Sequence, residues 1–84
     1  MEYIVVAFRS RAVVVGFSNF LKNIGVKNEI VNTPKEAGVG CGLSVKISPS
    51  ALAVAKRAIS QKNLNVAGFF SVKLIGGRRY VRSI

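Results

Sequence analysis

Histidine is absent from the 84-residue chain, cysteine occurs once, at Cys41, and Glu2, Glu29 and Glu36 are the only carboxylates. Zinc and calcium sites need a set of such ligands, so a metal centre and metal catalysis are excluded. A serine–histidine–acid triad, a cysteine–histidine pair and paired carboxylates fall with the same absences. With no self-contained catalytic constellation and no cofactor motif, a carrier or binding protein is expected rather than an enzyme. One cysteine forms no internal disulfide. Long apolar runs are also missing: "YIVVAF" and "AVVVGF" fall far short of a membrane span, so no membrane association is expected. The start, "MEYIVV", carries an acidic residue where a secretory signal would be basic, and a cytoplasmic location is the expectation.

What is present is positive charge on an apolar chain. Thirteen basic residues give a net charge of +10, while half of the residues are apolar. Such a chain folds, and its length suits one domain spanning residues 1–84, although a domain of this size hides only about 60% of its unfolded surface. The charge favours an anionic partner without naming one. Basic residues concentrate locally at Arg9 and Arg11, at Lys56 and Arg57, and at Arg78, Arg79 and Arg82. A solvated basic surface and a specific anion site both remain open.

"YIVVAF" (Tyr3 to Phe8), rich in β-branched and aromatic residues, predicts a buried strand. Ser10 stands where a helix cap belongs, and Val13, Phe17, Phe20, Leu21 and Ile24 recur at helical spacing until Gly25 supplies a left-handed stop. "VKNEIVN" is a weaker strand, closed by Thr33-Pro34. In "LSVKI" Leu43, Val45 and Ile47 face one way and Ser44 and Lys46 the other, so a half-exposed strand is expected. Ser48-Pro49 offers a capping hydroxyl and a first-turn proline for a second helix, with Leu52, Ala55 and Ile59 on one face and its end near Asn63. "VAGFFSVKLI" reads as a longer strand, and Gly76-Gly77 as a two-residue hairpin into "RRYVRSI".

This order predicts an α+β fold, a ferredoxin-like βαββαβ plait with an additional C-terminal edge strand. In that topology strands one and two run parallel with strand three between them. The end of strand one, the loop between strands two and three, and the start of strand four then share one rim. Arg9, Ser10 and Arg11 lie on the first of these connections and Cys41 on the second. The thiol would therefore sit near two guanidinium groups and the positive end of helix one, surroundings that favour a reactive cysteine. The Gly76-Gly77 turn falls on the opposite rim.

The glycine loop Gly38-Val39-Gly40-Cys41-Gly42 is followed by a strand, which excludes a dinucleotide fingerprint, and no G-K-[ST] follows either. Exposed aromatics for stacking RNA bases are lacking from "LSVKI", which disfavours that mode of nucleic-acid binding. Local chemistry leaves two readings of the loop: a hairpin tip whose cysteine is merely small, or a presented thiol.

"EAGVGCGLSVKISPSAL", together with the preceding "YIVVAFRSRAVVVGFSNFLKNIGVKNEIVNTP" and "NTPKE", resembles the selenium/sulfur carrier-like family of small bacterial proteins over residues 3 to about 70. Its specific motif is C-G-L. In proteins of this kind that cysteine is the proposed sulfur- or selenium-bearing residue, which the resemblance maps onto Cys41, with Gly40, Gly42 and Leu43 as the supporting loop. Arg9, Ser10, Arg11 and Lys35 are the nearest candidates to stabilise negative charge on sulfur. Proteins that donate and accept sulfur or selenium are the implied partners.

The alternative is a small basic binding module that docks an anionic protein or nucleic acid, with Cys41 incidental. A third reading is a small dimerising domain. Tyr3, Val5 and Ala7 are as apolar as Ile4, Val6 and Phe8, although a two-layer plait leaves one sheet face uncovered, so a homodimer through that face is expected. The C-terminal basic hairpin lies beyond the resemblance and could dock an acidic partner away from Cys41.

Overall fold

A computed structural model describes residues 1–84. The elements run β1 (Glu2–Phe8), α1 (Arg11–Asn23), β2 (Glu29–Asn32), β3 (Leu43–Ile47), a 3-10 turn (Pro49–Ala51), α2 (Leu52–Lys62), β4 (Val66–Ile75) and β5 (Arg78–Ser83). The strands form one antiparallel sheet in the order β2-β3-β1-β4-β5, so β1 and β3 are neighbours, as the element order implied. Gly76 and Gly77 both take positive φ in the turn between β4 and β5, as the tight hairpin requires.

Alternation along β1 feeds two cores. Ile4, Val6 and Phe8 join Val14, Phe17 and Leu21 of α1, Val45 and Ile47 of β3, and Ala55, Ala58 and Ile59 of α2. The Phe8 and Phe17 rings meet at 5.2 Å between centroids, tilted by 59°, within the range where aromatic pairs attract. The buried stripe of α1 runs Val14-Phe17-Ser18-Leu21. Val13 and Phe20 only flank it, and Ile24 is exposed because it caps the helix. Hydrophobic periodicity passed over Ser18, whose burial is explained by its hydroxyl donating to Asn28 Oδ1 at 2.6 Å. The expected capping hydroxyls are not used. Neither Ser10 nor Ser48 bonds a helix N–H, and Ser48 Oγ lies 2.9 Å from Ser50 Oγ.

On the other face Val5, Ala7, Phe70 and Val72 form a second buried cluster, packed by Tyr3, Val31, Ala37, Ala67 and Val81. The Phe70 ring occupies the space a Gly68 side chain would need, 2.9 Å from its ideal Cβ. Ala37 belongs to the loop between β2 and β3, which thus covers part of this face. The expected homodimer rested on an uncovered face of β1, yet Val5 and Ala7 are fully buried within one chain. Likewise Ser44, expected on a half-exposed face, is fully buried and shares a 2.6 Å hydrogen bond with Thr33 Oγ1.

Removing the Phe17 ring should cost about 3–5 kcal/mol, the range for Phe→Ala in a packed core. Urea denaturation of Phe17→Ala should show that loss, whereas Val15→Ala, on the exposed side of the same helix, should stay within about 0.5 kcal/mol of wild type.

Candidate functional site

The loop of residues 33–42 returns across the end of β1. Its closure depends on glycine at position 40: φ is +80°, and a Cβ there would lie 2.5 Å from the Phe8 carbonyl oxygen and 3.3 Å from Ala67 Cβ. Without that side chain the backbone comes close enough for the Cys41 N–H to donate to the Phe8 carbonyl at 2.9 Å. Behind it, the Thr33 N–H donates to the Gly42 carbonyl at 2.9 Å and closes the hairpin. Gly38 and Gly42 also take positive φ, so Cys41 stands between two residues in conformations that favour glycine.

Cys41 is half-buried, against the expectation of a fully presented thiol. Its side chain packs on the edge of the helix-side core, and Sγ lies 3.9 Å from the Leu43 carbonyl oxygen. The bond to Phe8 brings the cysteine to the connection that carries Arg9, Ser10 and Arg11 into α1. These three residues and Lys35 are exposed, and none makes a side-chain hydrogen bond or ion pair. The first turn of α1 holds no acidic residue and no side-chain cap, so its free N–H groups add partial positive charge to the same rim.

Glu36 is the one carboxylate in the loop, and it is bound by the last strand. Arg79 of β5 grips it with two hydrogen bonds, Nη2 to Oε1 at 2.8 Å and Nε to Oε2 at 3.1 Å. That hydrogen-bonded guanidinium holds the Glu36 carboxyl below the usual carboxylate range, helped by a backbone hydrogen bond and by the charges of Arg79 and Lys35. Arg79 in turn is raised above its ordinary value, chiefly by the same hydrogen bonding. The basic hairpin, expected to lie apart from the cysteine loop, therefore reaches it through one arginine. Sequence reasoning missed this clamp because 43 positions separate its partners, and only the fold brings them together.

A sequence-family model described as "Putative Se/S carrier protein-like" matches residues 2–71. The chain belongs to this family. The match takes in β1 through most of β4, and with them the C-G-L segment and its rim, while β5 lies outside the matched residues. Neither a curated protein nor a solved structure matches the chain.

Two predictions follow from the loop geometry. Gly42→Ala, with open space around it, should cost about 1 kcal/mol for its positive φ alone. Gly40→Ala should cost clearly more, because its methyl group meets backbone, and should weaken the protection of the Cys41 amide against hydrogen exchange. The second concerns pH. A carboxyl whose folded pKa is depressed adds stability above its unfolded value, and that stability is lost as pH falls through the folded value. Glu36→Gln should therefore be slightly less stable than wild type at pH 7, and the gap should close in acid, once Glu36 is protonated in both states.

Proposed function

We propose that this protein is a sulfur or selenium carrier with Cys41 as the carrying residue. Its strand order, with both helices packed on one face, we read as a ferredoxin-like plait with an added edge strand. The observation that carries the functional reading is the setting of the only thiol: on a glycine-built loop hydrogen-bonded to the end of β1, at the connection that carries Arg9 and Arg11 into the uncapped start of α1, with the loop's carboxylate paired to Arg79. Family membership supports the same assignment.

The transfer this site suits is thiolate exchange. The Cys41 thiolate attacks the terminal sulfur of a donor protein's persulfide. A new S–S bond forms at Cys41, the donor's S–S bond breaks, and the donor cysteine leaves as a thiolate. There is no net oxidation. An acceptor nucleophile then takes the terminal sulfur, and Cys41 leaves as the thiolate. No second cysteine exists to expel the cargo as a disulfide, so release needs an acceptor protein. A perselenide follows the same course with selenium as the transferred atom.

A second reading rests on the surplus of cations. Only Lys46 and Arg79 are ion-paired, to Glu29 and Glu36, which leaves a surface that would also bind an anionic macromolecule. Binding to RNA that falls steeply with salt and survives Cys41→Ala would favour that reading.

Incubation with a cysteine desulfurase and cysteine, followed by intact-protein mass spectrometry, should show the mass of one added sulfur atom, lost on reduction and absent from Cys41→Ala. Iodoacetamide should alkylate Cys41 at pH 7, and Arg9→Ala with Arg11→Ala should slow it. No sulfur uptake, together with an alkylation rate indifferent to both arginines, would remove the carrier reading.

A further inference from the structure

We propose that the free edge of β5 docks an extended, acidic segment of a partner protein as a sixth strand, a role independent of the chemistry assigned to Cys41. β5 pairs with β4 alone, in unbroken register from Arg78 to Ser83. The Ile84 N–H donates to the Phe69 carbonyl at 3.0 Å. Alternation along an antiparallel strand then turns the N–H and C=O groups of Arg79, Val81 and Ser83 outward, away from β4.

Exposed edges of this kind are ordinarily blunted by proline, a bulge or a covering segment. β5 contains no proline, its pairing with β4 shows no register shift, and no strand lies beyond it. Its protection is charge of one sign. Antiparallel pairing of β5 with a second copy about Tyr80 would set Arg78 opposite Arg82, so the same arginines that repel a copy select an acidic strand.

Two observations define what that strand carries. First, a carboxylate already binds a β5 guanidinium here: Glu36 on Arg79, bidentate. Arg78 and Arg82 have no carboxylate partner. Second, a groove of about 560 Å³ runs along the helix side of the β4–β5 ribbon, with Leu52 and Tyr80 on its walls and Lys73 and Arg82 beside them. The groove's own carboxylate, Glu2, accepts the Ser71 hydroxyl at 2.7 Å. An acidic strand with apolar residues at alternate positions fits both the cations and the groove. Nucleic acid would meet the charges but leave the outward backbone groups unused.

The test uses the full chain and a short synthetic peptide of alternating glutamate and valine, followed by amide NMR. Binding should shift and protect the amides of Arg79, Val81 and Ser83. It should weaken about tenfold in Arg78→Glu with Arg82→Glu, the scale of two exposed ion pairs lost. Ser83→Pro, which removes one outward N–H and leaves the β4 ladder intact, should also weaken it, as should methylating alternate backbone nitrogens of the peptide. An unchanged affinity for the methylated peptide would overturn the proposal, since charge alone would then account for binding. So would protection of the same amides by a second copy at rising protein concentration, or an RNA oligonucleotide that binds this edge as tightly as the peptide.

Discussion

The hydrogen bond from the Cys41 N–H to the Phe8 carbonyl ties the cysteine loop to the central strand of the sheet, and the rest of the rim takes its geometry from that contact. It forms because residue 40 lacks a side chain. Any Cβ there would collide with the carbonyl that accepts the bond. Through Phe8 the loop is referred to the most buried strand in the molecule, since Ile4 to Phe8 are all buried. The loop's register is therefore set by a core strand, although its residues are largely exposed. The same bond sets the cysteine backbone near the start of α1, which only two residues separate from the end of β1 in sequence.

Scarcity of carboxylates organises the electrostatics. Glu29 pairs with Lys46 at 3.3 Å, Glu2 accepts the Ser71 hydroxyl, and Glu36 is gripped by Arg79. None of the three makes a hydrogen bond or ion pair with Arg9, Arg11 or Lys35. These exposed pairs add little to stability, and their importance is in where they leave positive charge uncompensated.

Much of the fold was legible because the signals were local. The strand at "LSVKI", the Gly76-Gly77 hairpin and the Gly25 stop depend only on neighbouring residues, and each appears where the pattern put it. The illegible parts are those in which distant groups cooperate. Ser18 and Ser44 are polar residues in the interior, and nothing local announces that Asn28 and Thr33 satisfy them. The covered face of β1 was misread for the same reason: a strand apolar on both sides looks like an interface until Ala37, from a loop thirty residues later, is seen against it. At the site, the position of Cys41 on the rim followed from topology, whereas its half-burial depends on how the side chain packs at the core edge.

The two faces of the sheet differ in what they owe to the end of the chain. The helix-side core is complete with residues of β1, α1, β3, α2 and the first half of β4, all within the stretch that matches the family. The loop-side cluster is not. It includes Val72 and is packed by Val81, both beyond residue 71, and its loop is clamped by Arg79. Burial of Val5 and Ala7 on that face leans on a strand that the fold's main core does not require. β5 thus closes the face over which the cysteine-bearing loop lies and, through Arg79, binds the only carboxylate of that loop.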